Sequence, residues 1–255
     1  MEGLEGKVIV FAGAGGIATA AAALLGTGGA SVVVGDVSLE SATRTVQAAT
    51  GAGSSGLATS LDISNEAQVK DLIDLAIGVY GRIDGLFNVA ANIHPDEVAK
   101  DTTIVDIDLA TWQRTIDVNL TGYLLTMRHA IPHIVAAGGG SVVNTVSEAA
   151  YAGMDDKIAY SATKAGVTAL TRHAARKYGK SGIRANAISP GMILTEQTRA
   201  NLPEHFQEAI LKTTPAPRHG KPEDIGATVA FLMSDLSEWI TGQVLSVNGG
   251  TMMRA

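Results

Sequence analysis

The sequence predicts an α/β fold: a single-domain, doubly wound sandwich on a seven-stranded parallel sheet. Three observations predict it. Short apolar runs alternate with longer helix-like segments from end to end. The runs are apolar on both faces, as strands covered by helices on two sides must be. No break in composition divides the 255 residues, and no short repeat interrupts them.

The elements follow in order. Lys7–Gly13 (KVIVFAG) is the first strand candidate, followed by a helix-like run at Ile17–Leu25. Ser31–Asp36 (SVVVGD) is the second strand, with a helix over Ser38–Thr50. Gly56–Asp62 and Gly85–Ala91 are the third and fourth strands, separated by a helix over Glu66–Tyr80. A long helix over Trp112–Ala137 leads to the fifth strand, Gly140–Val146, and Ala159–Tyr178 is the next helix. Ile183–Ser189 and Val244–Gly250 complete the sheet. Strand and helix in this alternation read as a doubly wound sheet. Residues 196–218, polar and carrying three prolines, break the rhythm and read either as a flap over a ligand or as a surface excursion.

Composition narrows the function. The chain is 46% hydrophobic and 17% charged, with a formal charge of -6. That balance argues against nucleic acid, whose binders display a basic face. Cysteine is absent, which excludes disulfides, thiolate chemistry and Cys-type zinc sites. The opening MEGLEGK lacks the basic-then-apolar pattern of a signal peptide, and no apolar run has the length of a membrane span. A soluble cytoplasmic protein is the expectation.

Chemistry first enters at Gly13-x-Gly15-x-x-Ala18, directly after the first strand candidate. Glycine allows a tight turn and lets backbone N–H groups approach a pyrophosphate, while the following helix adds its positive end. Gly13, Gly15, Gly16 and Ile17 are therefore the candidate phosphate-binding residues. Asp36 closes the second strand, where a carboxylate can accept hydrogen bonds from both ribose hydroxyls of an adenosine. It would repel a 2′-phosphate, and Val37 and Ser38 offer no cation to rescue one. NAD is favoured over NADP on this ground. The alternative makes Asp36 a turn or N-cap residue ahead of Ser-Leu-Glu.

The reacting group is sought at Tyr160-Ser161-Ala162-Thr163-Lys164. Positions i and i+4 share a helix face, so phenol and ammonium can converge. A tyrosine ordinarily ionises near pH 10; a neighbouring ammonium and a nicotinamide cation both favour the phenolate. Ser147 follows the fifth strand at its carboxyl end, where ligands of open α/β sheets bind. Asn119 lies in an otherwise apolar helical stretch, where a buried amide needs partners.

With these residues the sequence resembles the short-chain dehydrogenase/reductase family, in its classical branch, over essentially the whole chain. The resemblance rests on Tyr160-x-x-x-Lys164, Ser147 thirteen residues earlier, Asn119, and Ser189-Pro190-Gly191-Met192-Ile193-Leu194-Thr195. It rests also on Asp62 after the third strand and on Ile240-Thr241-Gly242 with Asn248-Gly249-Gly250. It implies a Rossmann-type domain that exchanges hydride between NAD and a small hydrophobic secondary alcohol or ketone. Tyr160 would exchange the proton and Lys164 would depress its pKa and hold the nicotinamide ribose. Ser147 would bond the substrate oxygen, and Asn119 would position a water. Pro190, Gly191, Ile193 and Thr195 would dock the carboxamide. Asp62 and Ile63 would border the adenine, Asn88 and Ala90 the adenosine ribose side. A homotetramer packed through the two long helices is implied as well, and no metal.

Two departures from the family pattern stand out. Ala12 replaces a threonine in a glycine loop one residue shorter than usual, and the fourth strand ends Asn88-Val89-Ala90-Ala91 in place of Asn-Asn-Ala-Gly. The lost hydroxyl and the lost amide read as one coupled change, because removing both members of a polar pair can be nearly neutral. His129 and His133 have zinc-pair spacing but no third ligand, and Pro132 lies between them. Asp155-Asp156-Lys157 reads as the cap of the Tyr160 helix, with a cluster facing the substrate as the alternative. No hydrolase elbow surrounds Ser147. His94, Ala149, Tyr151, Met154, Ile193 and Leu194 are candidate substrate walls. An NADPH-dependent ketone or 3-oxoacyl reductase, and a nucleotide sensor without turnover, are the alternative functions.

Overall fold

The computed structural model describes residues 2–253. Its strands are β1 (Val8–Ala12), β2 (Ser31–Asp36), β3 (Gly56–Ser60), β4 (Gly85–Asn88), β5 (Gly140–Thr145), β6 (Ile183–Pro190) and β7 (Val244–Val247). They form one sheet in the order β3-β2-β1-β4-β5-β6-β7, with every neighbouring pair parallel. The chain winds outward from β1 to β3, then crosses back to lay β4 on the other side of β1. The switch point, where open α/β sheets form a crevice, therefore lies between β1 and β4.

The helices are α1 (Gly16–Thr27), α2 (Leu39–Thr50), α3 (Glu66–Tyr80), α4 (Pro95–Val98), α5 (Leu109–Ile116) and α6 (Gly122–Ala136). They continue as α7 (Ala149–Ala152), α8 (Ile158–Tyr178), α9 (Glu196–Asn201), α10 (Glu204–Thr213) and α11 (Pro222–Met233). Two apolar layers arise from the alternation of side chains along each strand. Val8, Val10 and Ala12 pack into the layer made by α3, α6 and α8. Ile9 and Phe11 face the layer of α1, α2 and α11, where Phe11 meets Phe87 of β4 edge-on at 5.3 Å.

The structure departs from the sequence expectations in instructive places. The fourth strand stops at Asn88 and does not reach Ala91. Val89 and Ala90 both turn their N–H groups onto the Ala12 carbonyl (3.0 and 2.9 Å), which ends the ladder. The edge strands β3 and β7 are partly exposed, not apolar on both faces, because each has a neighbour on one side only. The predicted helix over Trp112–Ala137 is two helices joined by a π turn at Asp117–Thr121, closed by the Gly122 N–H on the Asp117 carbonyl. The excursion at residues 196–218 contains α9 and α10, both without buried residues.

The cap of α8 is the clearest correction. Asp155 and Asp156 are exposed, and Lys157 at the N-cap position has φ +62° and no side-chain cap bond. The cap comes from a distant loop. Asp101 Oδ1 accepts the Ala159 N–H (2.9 Å) and Oδ2 the Tyr160 N–H (2.8 Å), with the carboxylate only 5% exposed. A carboxylate at a helix N-terminus is doubly favoured, by the amide donors and by the macrodipole. Asp101→Ala is expected to cost about 1–3 kcal/mol, since it strands two buried amides. Asp155→Ala should stay within about 0.5 kcal/mol; urea denaturation of the two variants side by side checks the difference.

Candidate active site

The crevice at the switch point begins with the glycine loop. Gly13 has φ +110°, and a Cβ there would lie 2.4 Å from the Ala90 nitrogen, so only glycine lets the loop pass this close to the end of β4. Gly15, at φ +103°, is the N-cap of α1 and faces open space. No side chain caps that helix and no acid stands in its first turn, so the amides from Gly16 and Ile17 onward keep their positive end for an anion. The loop thus fits a pyrophosphate by the chemistry of its donors.

Asp36 is tied to this loop. Its Oδ2 accepts the Ala14 N–H and its Oδ1 the Ser38 N–H, both at 2.8 Å. Ser38, not Asp36, caps α2. Two of the carboxylate's four lone-pair sites are therefore used, and the rest remain for hydroxyl donors. Val37 beside it is exposed, and Arg44, further along α2, is paired with Glu40.

The expected adenine border is a small network. Burial raises the Asp62 pKa, but hydrogen bonds from Ser64 and the Arg114 guanidinium outweigh it and hold the carboxyl below its usual range. Ile63 is buried against Gly122, so only its backbone is available to a ligand. Asn88 is likewise turned inward. Its amide donates to Asn144 (2.8 Å) and accepts from Thr126 (2.7 Å), and Asn144 donates on to Thr171 (2.9 Å). Any part Asn88 plays at a nucleotide falls to its main chain.

The two departures noted in the sequence do not form one side-chain pair. Ala12 points into the α3/α6/α8 layer, beside Asn88 in register, whereas Val89 packs into the opposite layer. What links them is backbone: the Ala12 carbonyl receives both turn amides.

The segment expected to dock the carboxamide runs from the end of β6 to the start of α9. Gly191 bonds the Val247 carbonyl (3.1 Å), and Ile193 bridges Gly220. Thr195 caps α9 through its hydroxyl and lays its methyl against Gly16. Thr195 is thus brought to the glycine loop, while Pro190 and Gly191 lie beside β7 and Ile193 beside Gly220. Ile193 is 7% exposed and belongs to the core, so its side chain is not a substrate wall.

Beyond the carboxyl end of β5 stand Ser147, Tyr160 and Lys164. The Ser147 hydroxyl lies close enough to the Tyr160 phenol to oppose the rise in its pKa. Lys164 Nζ is 5.5 Å from the centre of the Tyr160 ring and 5.0 Å from that of Tyr123, and donates to the Thr145 carbonyl at 2.9 Å. Lys164 is 1% exposed, and burial lowers its pKa to about 7. Burial raises that of Tyr160, with the Ser147 hydroxyl opposing. The expected depression of Tyr160 by its cation is therefore not a property of the unliganded chain; desolvation wins there. Asn119, fully buried in the π turn, accepts the Asn92 N–H at 2.7 Å, while its Nδ2 has no hydrogen-bond partner among the described residues. A buried amide of this kind calls for a further acceptor, such as water or ligand.

A family model described as Enoyl-(Acyl carrier protein) reductase matches residues 12–252. The chain belongs to the short-chain dehydrogenase/reductase family. It is 37% identical to cis-4-hydroxycyclohexanecarboxylate dehydrogenase of Sinomonas cyclohexanicum, over 96% of each chain. It is 36% identical to the cyclohexanol dehydrogenase of an Acinetobacter species, over 95% of this chain and 94% of that one. The solved short-chain type dehydrogenase/reductase of Mycobacterium ulcerans superposes with a TM-score of 0.90 at 30% identity, covering all of this chain and 92% of the other. The chain is thus an oxidoreductase of the short-chain type, a family that uses a nicotinamide nucleotide.

Within this short-chain dehydrogenase/reductase, three features escaped the sequence reading. Asp101 carries no local signal, being 58 and 59 positions from the amides it caps. The Asn88–Asn144 bond depends on which strands are neighbours. Tyr123 lies four positions after Asn119, but the π turn between them removes the regular phase on which an i, i+4 argument depends. Elsewhere His129 bonds Glu66 of α3 at 2.9 Å, a helix-to-helix contact, and no helix among the described residues is long and apolar enough to cross a membrane.

The pKa of Lys164 has a thermodynamic consequence. Folding lowers it from 10.5 to about 7, so between those values the unfolded chain binds more protons and stability rises with pH. Lys164→Met should flatten that rise; the slope of unfolding free energy from urea titrations across this window checks it.

Proposed function

We propose that the chain interconverts a secondary alcohol and a ketone with NAD(H), with Tyr160 as the acid–base. The observation that carries the reading is the convergence of the Ser147 hydroxyl, the Tyr160 phenol and the Lys164 ammonium beyond one strand end. The coenzyme, when bound, accepts a hydride at its nicotinamide ring or returns it. Gly13, Gly15, Gly16 and Ile17 hold the pyrophosphate, and Asp36 with Val37 receives the adenosine ribose. Asp62 and the Ile63 backbone border the adenine, with the main chain of Asn88 and Ala90 beside the ribose. Pro190, Gly191, Thr195 and the Ile193 backbone orient the carboxamide.

In oxidation, Ser147 holds the substrate hydroxyl and Tyr160, as phenolate, removes its proton while the carbinol carbon gives up its hydride. The Lys164 cation favours the phenolate and binds the ribose. Asn119 directs its unpartnered amide at a water on the path from Lys164 to solvent. Positioning and alkoxide stabilisation supply most of the acceleration. The named activities of the Sinomonas and Acinetobacter relatives support a cyclic aliphatic alcohol as the substrate class. The exposed Met154 and the partly buried Ala149 and Leu194 offer it apolar walls.

A panel of cyclohexanols should yield reduced coenzyme with the parent chain. Tyr160→Phe should lose at least a thousandfold in kcat on the scale of general acid–base catalysis while coenzyme binding, followed by fluorescence, persists; a variant that still turns over overturns the assignment. For coenzyme choice, Asp36→Ala combined with Val37→Arg should reverse the preference toward NADP by tenfold or more in kcat/KM, through removal of one repulsive charge and gain of an attractive one.

A further inference from the structure

We propose that Tyr123 is a positioning residue for the reaction: the face of its ring holds the Lys164 ammonium, and its hydroxyl locks that ring to the end of β4. The inference rests on the reading of Lys164 as the cation that serves Tyr160.

Lys164 is placed where a positive charge is costly. It lies among buried groups, and its single hydrogen bond to another residue of the chain is to a neutral carbonyl, that of Thr145. Among the described residues no carboxylate compensates it. The charged groups on the elements packed against α8 are engaged or placed elsewhere, and the Tyr151 phenol of α7 shares a hydrogen bond with Thr168. Asp101 serves the amides of Ala159 and Tyr160, Asp117 of the π turn is held by Gln113, and Arg114 of α5 turns to Asp62 and Ser64. Glu148, before α7, is bound by Asn248 and Thr251; Arg184 of β6 bonds Ser234 and Ser237; Lys180 lies beyond the carboxyl end of α8. Two phenol rings face the ammonium, Tyr160 on its own helix and Tyr123 on α6, and Tyr123 is the nearer of the two at 5.0 Å.

An aromatic face attracts a cation through the ring quadrupole, most strongly where water is excluded. Tyr123 is wholly buried and is held from both ends. Its hydroxyl donates to the Ala90 carbonyl at 3.0 Å, and Ala90 in turn donates to Ala12 at the foot of the glycine loop. The π turn decides that this residue faces inward. One extra residue absorbed there turns every later side chain by about 100° relative to an unbroken α-helix. Tyr123 accordingly enters the core, and Leu124 is left 47% exposed. The ring thereby couples the ammonium to the segment expected at the adenosine ribose.

The test replaces Tyr123 by Phe, by a series of phenylalanines carrying increasing ring fluorine, and by Leu. The carbon-13 shift of the Lys164 ε-carbon, assigned with Lys164→Met, is titrated in the coenzyme-free chain, and the pH profile of alcohol oxidation is recorded in parallel. Phe keeps the ring face and should leave the midpoint near that of the parent. Each added fluorine should lower it, and Leu should lower it by about one pH unit or more, a tenfold or larger change in acid dissociation. The basic limb of kcat should move down by the same amount, with KM for the alcohol little changed. A flat fluorine series, or a Phe variant displaced as far as Leu, overturns the proposal. The fluorinated rings keep their size, so they decide the question if Leu disturbs folding. If no alcohol is oxidised, the proposed activity falls, while the lysine titration still judges the ring.

Discussion

A buried ammonium without a carboxylate governs the architecture of this site. Lys164 is carried into the core by α8, where a charge is retained only if nearby dipoles and polarisable faces replace the water it has lost. The Thr145 carbonyl, the ring of Tyr123 and the ring of Tyr160 are what the fold supplies. Each comes from a different element: the end of β5, the helix after a π turn, and α8 itself. The site therefore exists only when the sheet order and the broken helix are both in place.

Two helix N-termini near the crevice are used in opposite ways. That of α8 is saturated by Asp101, whose two oxygens take the amides of Ala159 and Tyr160 and hold the tyrosine's main chain. That of α1 starts at a glycine with no side-chain cap and no acid in its first turn. One end is closed to fix a side chain; the other is kept open toward the crevice. Asp36, accepting the Ala14 N–H, ties the end of β2 to the glycine loop.

The seven strands were legible as short, largely apolar runs between helix-like segments. Their ends were less so. Val89 and Ala90 continue the apolar pattern past Asn88, yet the ladder stops where their two amides converge on Ala12. The proximity of Tyr160 and Lys164 was legible for a local reason, since they are one turn apart on a regular helix. The break at Asp117–Thr121 was not, because nothing in the spacing of apolar residues marks the extra residue.

Chain order and local chemistry thus determined the parallel sheet, the glycine turn, the acid after β2 and the tyrosine–lysine pair. These are effects of neighbours in sequence: periodicity, positive φ, and one helical turn. Tertiary structure alone decided that Asp101 caps α8, that Asn88 turns inward to Asn144, and that Tyr123 lies against Lys164. Hydrogen bonds and cation–ring contacts between residues far apart in the chain depend on which strands adjoin and how a helix is phased. Those quantities are set by packing the whole molecule.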